Sequence, residues 1–474
     1  MSQLSIVILQ YLNIAALLFT ATMILFYTLF AVISIGAMKH HIREDSFVDY
    51  NALLSSECAP AVSLIAPAYN EAKTIEENVR SLLSLEYSDY EVIIVNDGSK
   101  DDSMDILINA YQLKKIDTEV VPRVQSKPIK GVYKSDNPAL KKLTVVDKVN
   151  GGKSDALNAG ICVSQNPYIA CIDVDCVLEK QSLLRMIKPF MDESGRRVIA
   201  AGGVVRIANS CIIKAGRLLE VKVPDKFLPR VQVLEYIRAF LLGRMAWSKL
   251  DGLLLISGAF GMFDKEIVVA VGGYSHKTVG EDMELVVRMR RYMVETGQPY
   301  TVRYIPDPLC WTEAPDNYDI LIKQRNRWTR GTMETLLTHR RILFNPKYRI
   351  LGLLSFPYWL IYEYAAPIIE FVGFFATLIL ALLGLLSWKF FFLIFGFIYS
   401  FTLMYACLSL LSEEFTYHQY TRRSDFLKLF ITAMIEPIWY HPVTVYASIK
   451  GNIQKMRGIG GWGEMTRQGF TKKT

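Results

Sequence analysis

The first 38 residues carry no charged side chain, and Lys39 is the first. About 20 apolar helical residues cross a hydrocarbon core of roughly 30 Å, so this stretch is long enough to span with tilt. It lacks the basic start, shorter core and small-residue cleavage site of a signal peptide, which predicts an uncleaved anchor over 1–40. Lys39-His40-His41-Ile42-Arg43 follows it, and the positive-inside rule places that end in the cytoplasm and the N-terminus outside.

From about 44 to 345 charges are frequent and short apolar runs alternate with helical patterns. Val62–Ala66, Glu91–Val95 and Tyr168–Ile172 read as buried parallel strands, each followed by polar residues. Such alternation predicts an α/β unit with a doubly wound sheet, whose ligands bind at the carboxyl ends of the strands. Beyond 346 the pattern turns apolar again. Phe371–Trp388 and Phe390–Ser412 are charge-free, with only Lys389 between them, and predict a helical hairpin across the bilayer. Its first helix is expected to begin near Phe356 and to carry Glu363 and Glu370. A fourth apolar stretch, 426–450, is interrupted by Glu436, Pro437, His441 and Pro442. It either spans, against the positive-inside rule for the tail holding Lys455, Arg457, Arg467, Lys472 and Lys473, or lies in the interface.

Between these parts, 323–349 holds eight Lys and Arg residues against the single acid Glu334. Interleaved with Leu336, Leu337, Ile342, Leu343 and Phe344, these charges predict a helix lying on the cytoplasmic leaflet. The expected organisation is therefore an anchor (1–40), a cytoplasmic α/β domain (41–320), interfacial helices (321–355), membrane helices (356–450) and a basic tail (451–474). Composition adds little: 51% of 474 residues are hydrophobic and 21% charged, and mean hydropathy is +0.22, high for a purely soluble chain. A net charge of +7 is too mild to predict a nucleic-acid partner and suits an anionic membrane face. Seven cysteines without regular spacing exclude a disulfide framework.

Several strand ends carry chemistry. Asp173-Val174-Asp175 can turn two carboxylates toward one hard cation, Mg²⁺ or Mn²⁺, with a pyrophosphate completing the shell. Cys171 and Cys176 flank the pair, but no Cys/His spacing completes a zinc site. Pro67-Ala68-Tyr69-Asn70-Glu71 and Asn96-Asp97-Gly98-Ser99 end two earlier strands. Asp97 could accept from a base imide and Tyr69 could pack on the base, while Asn70 and Asp97, taken singly, better suit turns or caps. Gly151-Gly152-Lys153-Ser154 is not a Walker loop, since Asp147 stands where glycine is required, but it suits a phosphate contact. Gly280-Glu281-Asp282 opens a helix, where acids are favoured by the dipole and where Asp282 could also serve as a general base. Gln324, Arg327 and Trp328 fall on one helix face and suit a hydroxyl, a diphosphate and a sugar ring; an interfacial anchor is the other reading of the tryptophan.

The order 67–71, 96–99, 152–158, 173–175, Ser257-Gly258-Ala259-Phe260, 280–282 and Gln324-x-x-Arg327-Trp328 resembles the membrane-integrated, inverting family-2 glycosyltransferases. These are the cellulose, hyaluronan, chitin-oligosaccharide and poly-N-acetylglucosamine synthases, and the resemblance covers roughly 1–450. It implies a GT-A catalytic domain on the cytoplasmic face of a bacterial inner membrane, using a UDP-sugar and Mg²⁺ or Mn²⁺. Pro67, Tyr69, Glu71 and Asp97 would hold uridine, with Lys153 and Asp155 along the nucleotide. Asp173 would contact the donor and Asp175 the metal. Asp282, with Glu281 beside it, would be the catalytic base. Ser257, Gly258, Gln324, Arg327 and Trp328 would shape the acceptor and diphosphate end. Tyr358, Trp359, Tyr362 and Tyr364 could stack on an exiting glycan, with Glu363 and Glu370 as acceptors. With few residues after Arg457, the PilZ domain that bacterial cellulose synthases append is not expected in this sequence. The implied partners are the UDP-sugar, the growing glycan and membrane lipids, with no nucleic acid. Single sugar transfer to a lipid, and a non-catalytic or transporter-type partner of an export system, are the alternatives.

Overall fold

The computed structural model describes residues 3–55, 59–192, 195–214 and 216–458. Twelve strands occur among them. In chain order they are β1 (Val62–Ala68), β2 (Tyr90–Asn96), β3 (Leu113–Ile116), β4 (Ile129–Ser135), β5 (Leu143–Lys148) and β6 (Tyr168–Ile172). There follow β7 (Val177–Leu178), β8 (Arg197–Ile207), β9 (Ile212–Lys214), β10 (Arg217–Glu220), β11 (Phe260–Asp264) and β12 (Tyr300–Thr312). β9 and β10 form a separate ribbon; the others make one sheet in the order β3-β4-β5-β2-β1-β6-β11-β8-β12-β7.

The three strands expected from the apolar runs are β1, β2 and β6, and they lie side by side and parallel. Their residues are almost wholly buried, as strands covered on both faces must be. The whole sheet is mixed, however: β11 runs antiparallel between β6 and β8, and β4 antiparallel beside β5. This GT-A-type arrangement has a consequence for the site. β6, β8 and β12 point the same way, so the segments after Ile172 and Thr312 emerge at one edge. Ser257-Gly258-Ala259, just before β11, meets that edge because Phe260 pairs with Ile172.

Three helices are long and apolar enough to cross a membrane among the described residues: Ile14–Asp45, Leu351–Leu382 and Trp388–Thr416. The second begins before the expected Phe356. Its turns widen at Leu351–Ser355 and Trp359–Ala365, on either side of Pro357, whose ring and missing N–H break the regular ladder. The turn between the last two is 383–387, with Gly384 at φ 69°, so Lys389 lies inside the second helix rather than between them. The stretch 426–450 is no single span. It folds as Arg423–Trp439 and His441–Met456, divided at Tyr440 just ahead of Pro442, and neither is among the three spanning candidates.

The basic segment also differs from its expected pose. Leu336 and Ile342 are not offered to a leaflet; they are buried with Leu254, Met283 and Val287. Leu337 and Phe344 remain exposed. Of the tail's basic residues, Lys455 and Arg457 are described, while Arg467, Lys472 and Lys473 lie outside the described residues.

Candidate active site

A cavity of about 360 Å³ opens at the sheet edge where β6 and β12 end. Lys153, Asp173, Ser257, Gly258, Glu281, Asp282, Gln324, Arg327 and Trp328 line it, so nine of the anticipated residues share one hollow. They come from five separate stretches of chain.

Gly258 is the hinge of the arrangement. Its N–H donates to Asp282 Oδ2 at 3.1 Å, and its carbonyl accepts from Lys153 Nζ at 3.3 Å. A Cβ there would stand 3.1 Å from Lys153 Nζ and 3.4 Å from Asp282 Oδ2; any side chain would enter the space between ammonium and carboxylate. Lys153 Nζ also pairs with Asp173 Oδ1. Burial works against the Lys153 charge, but Asp173 and Glu281 outweigh it and hold the ammonium above the ordinary lysine range.

Asp282 and Glu281 occupy the first turn of the helix Glu281–Glu295. Asp282 Oδ1 accepts from the Met283 N–H at 2.8 Å. Glu281 is 3% exposed. Burial and then the neighbouring Asp282 charge push its carboxyl up to about 7, against the pull of Lys153 and Arg327. A buried carboxyl pushed toward neutrality beside a second acid in one cavity is a common arrangement at functional sites.

Gln324, Arg327 and Trp328 lie on the helix Tyr318–Thr338. Arg325, which the motif reading passed over, sets two of them. Its guanidinium donates to Gln324 Oε1 at 2.7 Å and lies 4.0 Å over the Trp328 ring. It is anchored in turn by Glu235 Oε2 at 2.5 Å and Tyr440 Oη at 3.0 Å. Also unanticipated are Tyr236 and the segment Thr312–Asn317 in the cavity wall. The available signal was Thr312-Glu313-Ala314-Pro315, an acid and a proline directly after a strand, in the same idiom as the other strand ends.

Six anticipated residues do not line the cavity: Pro67, Tyr69, Glu71, Asp97, Asp155 and Asp175. Asp97 is buried, and its oxygens accept from Lys148 Nζ (2.8 Å), Gly151 N (2.9 Å) and Gly152 N (2.7 Å). Asp155 pairs with the same Lys148 and accepts from the Lys127 N–H at 3.0 Å. Both acids therefore hold the loop 148–152, where Gly152 sits at φ 87°, a conformation only glycine adopts cheaply. Asn70 is a turn residue at φ 56°, bonded to the Ser99 hydroxyl and the Lys100 N–H. Tyr69 is exposed beside it.

Asp173 and Asp175 form the turn after β6, closed by a bond from Cys176 N to Asp173 O at 2.9 Å. No group of three or more His, Cys, Asp or Glu among the described residues could hold a metal by itself. Two hard carboxylates fit Mg²⁺ or Mn²⁺ in the mode in which substrate phosphates supply further ligands.

Residues 63–210 match the family model described as Glycosyl transferase family 2. A poly-beta-1,6-N-acetyl-D-glucosamine synthase of Staphylococcus epidermidis is 28% identical over 318 residues, 66% of this chain and 66% of that one. The protein of the same name from Staphylococcus aureus (strain COL) is 28% identical over 278 residues, 58% of this chain and 55% of the relative. The chain thus spans 66% or less of the length of these curated relatives. A solved mannosyltransferase from Pyrobaculum calidifontis, in complex with GDP-Man and Mn²⁺, aligns with a TM-score of 0.48 and 17% identity over 86% of this chain and 99% of that one. That likeness is too loose to bear on the site. Residues 168–405, half of the chain, match the model described as Glycosyl transferase family group 2, and the chain belongs to that family.

Proposed function

We propose that the protein is an inverting, processive β-glycosyltransferase that polymerises a UDP-hexose, UDP-N-acetylglucosamine or UDP-glucose, at the cytoplasmic face of a bacterial plasma membrane. What carries the reading is one cavity holding Asp282 opposite the Lys153–Asp173 pair, with Gln324, Arg327 and Trp328 on its wall. The similar synthases in the two staphylococci support a polymer product over a single addition.

In this reading Asp282 takes the proton of the acceptor's terminal hydroxyl. The freed oxygen pair attacks the anomeric carbon opposite UDP, and the bond to the diphosphate oxygen breaks with its electrons leaving on UDP. One displacement inverts the centre, so an α-linked donor gives a β-linkage. Lys153 and Arg327 face the charge that builds on the leaving diphosphate, and such groups favour the transition state over the ground state. Asp175 and Asp173 are the residues that would hold Mg²⁺ or Mn²⁺, which when bound supplies further charge neutralisation there. Uridine is assigned to the β1 end, on Pro67, Tyr69 and Glu71, with Asp97 and Asp155 acting through the 148–152 loop. Gln324 and Trp328 meet the acceptor sugar.

The reading extends to outward passage of the glycan along Leu351–Leu382, where Glu363 and Glu370 are costly inside an apolar segment. Of the four aromatic residues named for stacking on the glycan, Tyr358 is 4% exposed and packs against Phe30 and Trp247, and Tyr362 packs against Phe19 and Phe26.

The test is purified protein with Mg²⁺ or Mn²⁺ and a panel of UDP-sugars, reading UDP release and digesting any polymer with linkage-specific hydrolases. Asp282→Asn is expected to lower turnover by about 10²–10⁴-fold, the usual share of a general base, with UDP affinity kept. Unchanged turnover in that variant removes the base assignment.

A further inference from the structure

The loop that presents Glu281 and Asp282 is fastened from behind. Gly280, the residue before Glu281, lies back to back with Gly331 of the helix Tyr318–Thr338: a Cβ on either would stand 2.7 Å from the other's Cα. One turn further along that helix is Glu334, the only acid in 323–349 and 8% exposed. Its two oxygens are divided between two elements. Oε2 accepts from the Val279 N–H at 2.9 Å, three residues before Asp282. Oε1 accepts from Lys455 Nζ at 2.6 Å.

Lys455 belongs to His441–Met456, which packs along the same helix face. Asn326 Nδ2 donates to Gln454 Oε1 at 2.8 Å, and the Thr329 hydroxyl donates to Ser448 Oγ at 3.1 Å. Gly451 approaches so closely that a Cβ would lie 2.9 Å from the Asn326 carbonyl. Burial by itself would raise the Glu334 carboxyl, but the bonds from Lys455, Val279 N and Thr278 outweigh it and hold it below the ordinary range. The group therefore stays ionised at neutral pH, where a carboxylate accepts these bonds strongly.

We propose that Glu334 is a positioning residue: it holds the Val279–Asp282 loop in register with the helix bearing Gln324, Arg327 and Trp328, and Lys455 of the C-terminal helix fixes its orientation. The functional part of this rests on Asp282 acting as the base. Glu334 is not among the residues lining the cavity; it sets the distance between the acid that takes the proton and the wall that holds the sugar. A loop N–H and a lysine on different elements are joined through one carboxylate, so removing either end loosens the other.

Two measurements on the full chain test it. Steady-state UDP release is expected to show kcat lowered about tenfold in Glu334→Ala, as for a sub-ångström misplacement, with KM for the UDP-sugar within about twofold. Glu334→Gln is expected to recover part of the loss, because its carbonyl still accepts from Val279. Lys455→Met is expected to lower kcat about threefold. Independently of activity, amide exchange at Val279 is expected to quicken in Glu334→Ala and to stay near wild type in Glu334→Gln. Wild-type kcat in Glu334→Ala, an equal fall of kcat/KM through KM alone, or unchanged Val279 exchange each overturns the proposal. If Glu334→Ala does not fold, Lys455→Met decides, and wild-type kcat with wild-type Val279 exchange there overturns it. Should the wild type release no UDP from any donor, the reading of Asp282 falls, and the exchange measurement alone still decides whether Glu334 holds the loop.

Discussion

Replacing Gly331 by alanine adds a single methyl group in the middle of a helix. By propensity the change is favourable, since alanine exceeds glycine by about 1 kcal/mol in a helix interior. Packing opposes it. The new Cβ would stand 2.7 Å from Gly280 Cα and 2.9 Å from Gly280 N, and both are backbone atoms that no rotamer change can remove. Ordinary contact begins at 3.4 Å, so helix and loop must part by about 0.7 Å. Catalytic groups need placement within about 0.5 Å, and a displacement near 1 Å costs up to about 10²-fold. The expected loss in kcat is therefore about 10- to 100-fold, or about 1.4–2.7 kcal/mol. Lys153 and Asp173 sit on other elements, so UDP affinity, read by calorimetry, is expected to change much less than turnover. Gly396→Ala is the control, because its Cβ meets nothing within 4 Å. Full turnover in Gly331→Ala, or the same loss in Gly396→Ala, refutes the reasoning. The first result would mean that the loop tolerates displacement, and the second that turnover responds to any added helical methyl.

Two further outcomes follow from the same site. The Glu281 carboxyl is raised from 4.5 to about 7, so the folded state binds the extra proton more tightly than the unfolded one. Its contribution to stability is complete below about pH 4.5 and is lost as pH rises through 7, by up to about 3 kcal/mol; Glu281→Gln is expected to unfold like wild type at about pH 4.5 and later than wild type at about pH 8.5, measured by thermal denaturation without nucleotide. Arg325→Lys removes the planar fork that serves Gln324, Glu235, Tyr440 and the Trp328 ring together. Shorter products on a sizing gel, with UDP affinity kept, are expected, and unchanged product length counts against that support of the acceptor wall.

What could be read along the chain divides by physical cause. β1, β2 and β6 were legible because strands covered on both faces are continuous apolar runs, and their polar ends stand out. The apolar helices were legible because the bilayer sets a length that composition alone reveals. The stretch 426–450 resisted for the opposite reason: Pro437 and Pro442 signal breaks, but only the packing of Asp425, Thr432 and Glu436 against the helix Phe227–Ile237 and its surroundings says where the pieces go. Leu336 and Ile342 misled in the same way. A basic stretch with spaced leucines fits a leaflet or a protein core equally, and Leu254, Met283 and Val287, far off in sequence, decide for the core. Arg325 was hidden between the two arginine and glutamine positions of its own motif.

Asp97 and Asp155 show why acids at strand ends and helix starts cannot all be counted as one constellation. Lys148 is fully buried at the end of β5, and a buried ammonium is costly unless paired. It draws Asp97 to 2.8 Å and pairs with Asp155 as well, so two carboxylates of the motif set are spent inside the fold. Nothing in the spacing of the motifs distinguishes them from Asp173 and Asp282, which reach the cavity. The distinction lies in the partner: Asp97 and Asp155 face Lys148, which has no solvent, while Asp173 faces Lys153 at the cavity wall. The two lysines, five residues apart, thus sort the acids. Lys148 fixes the loop, the loop presents Gly152 and Lys153 at the start of a helix, and Lys153 then stands at the cavity wall. On that logic the motif's glycines, together with Asp97 and Asp155, serve the placement of one ammonium.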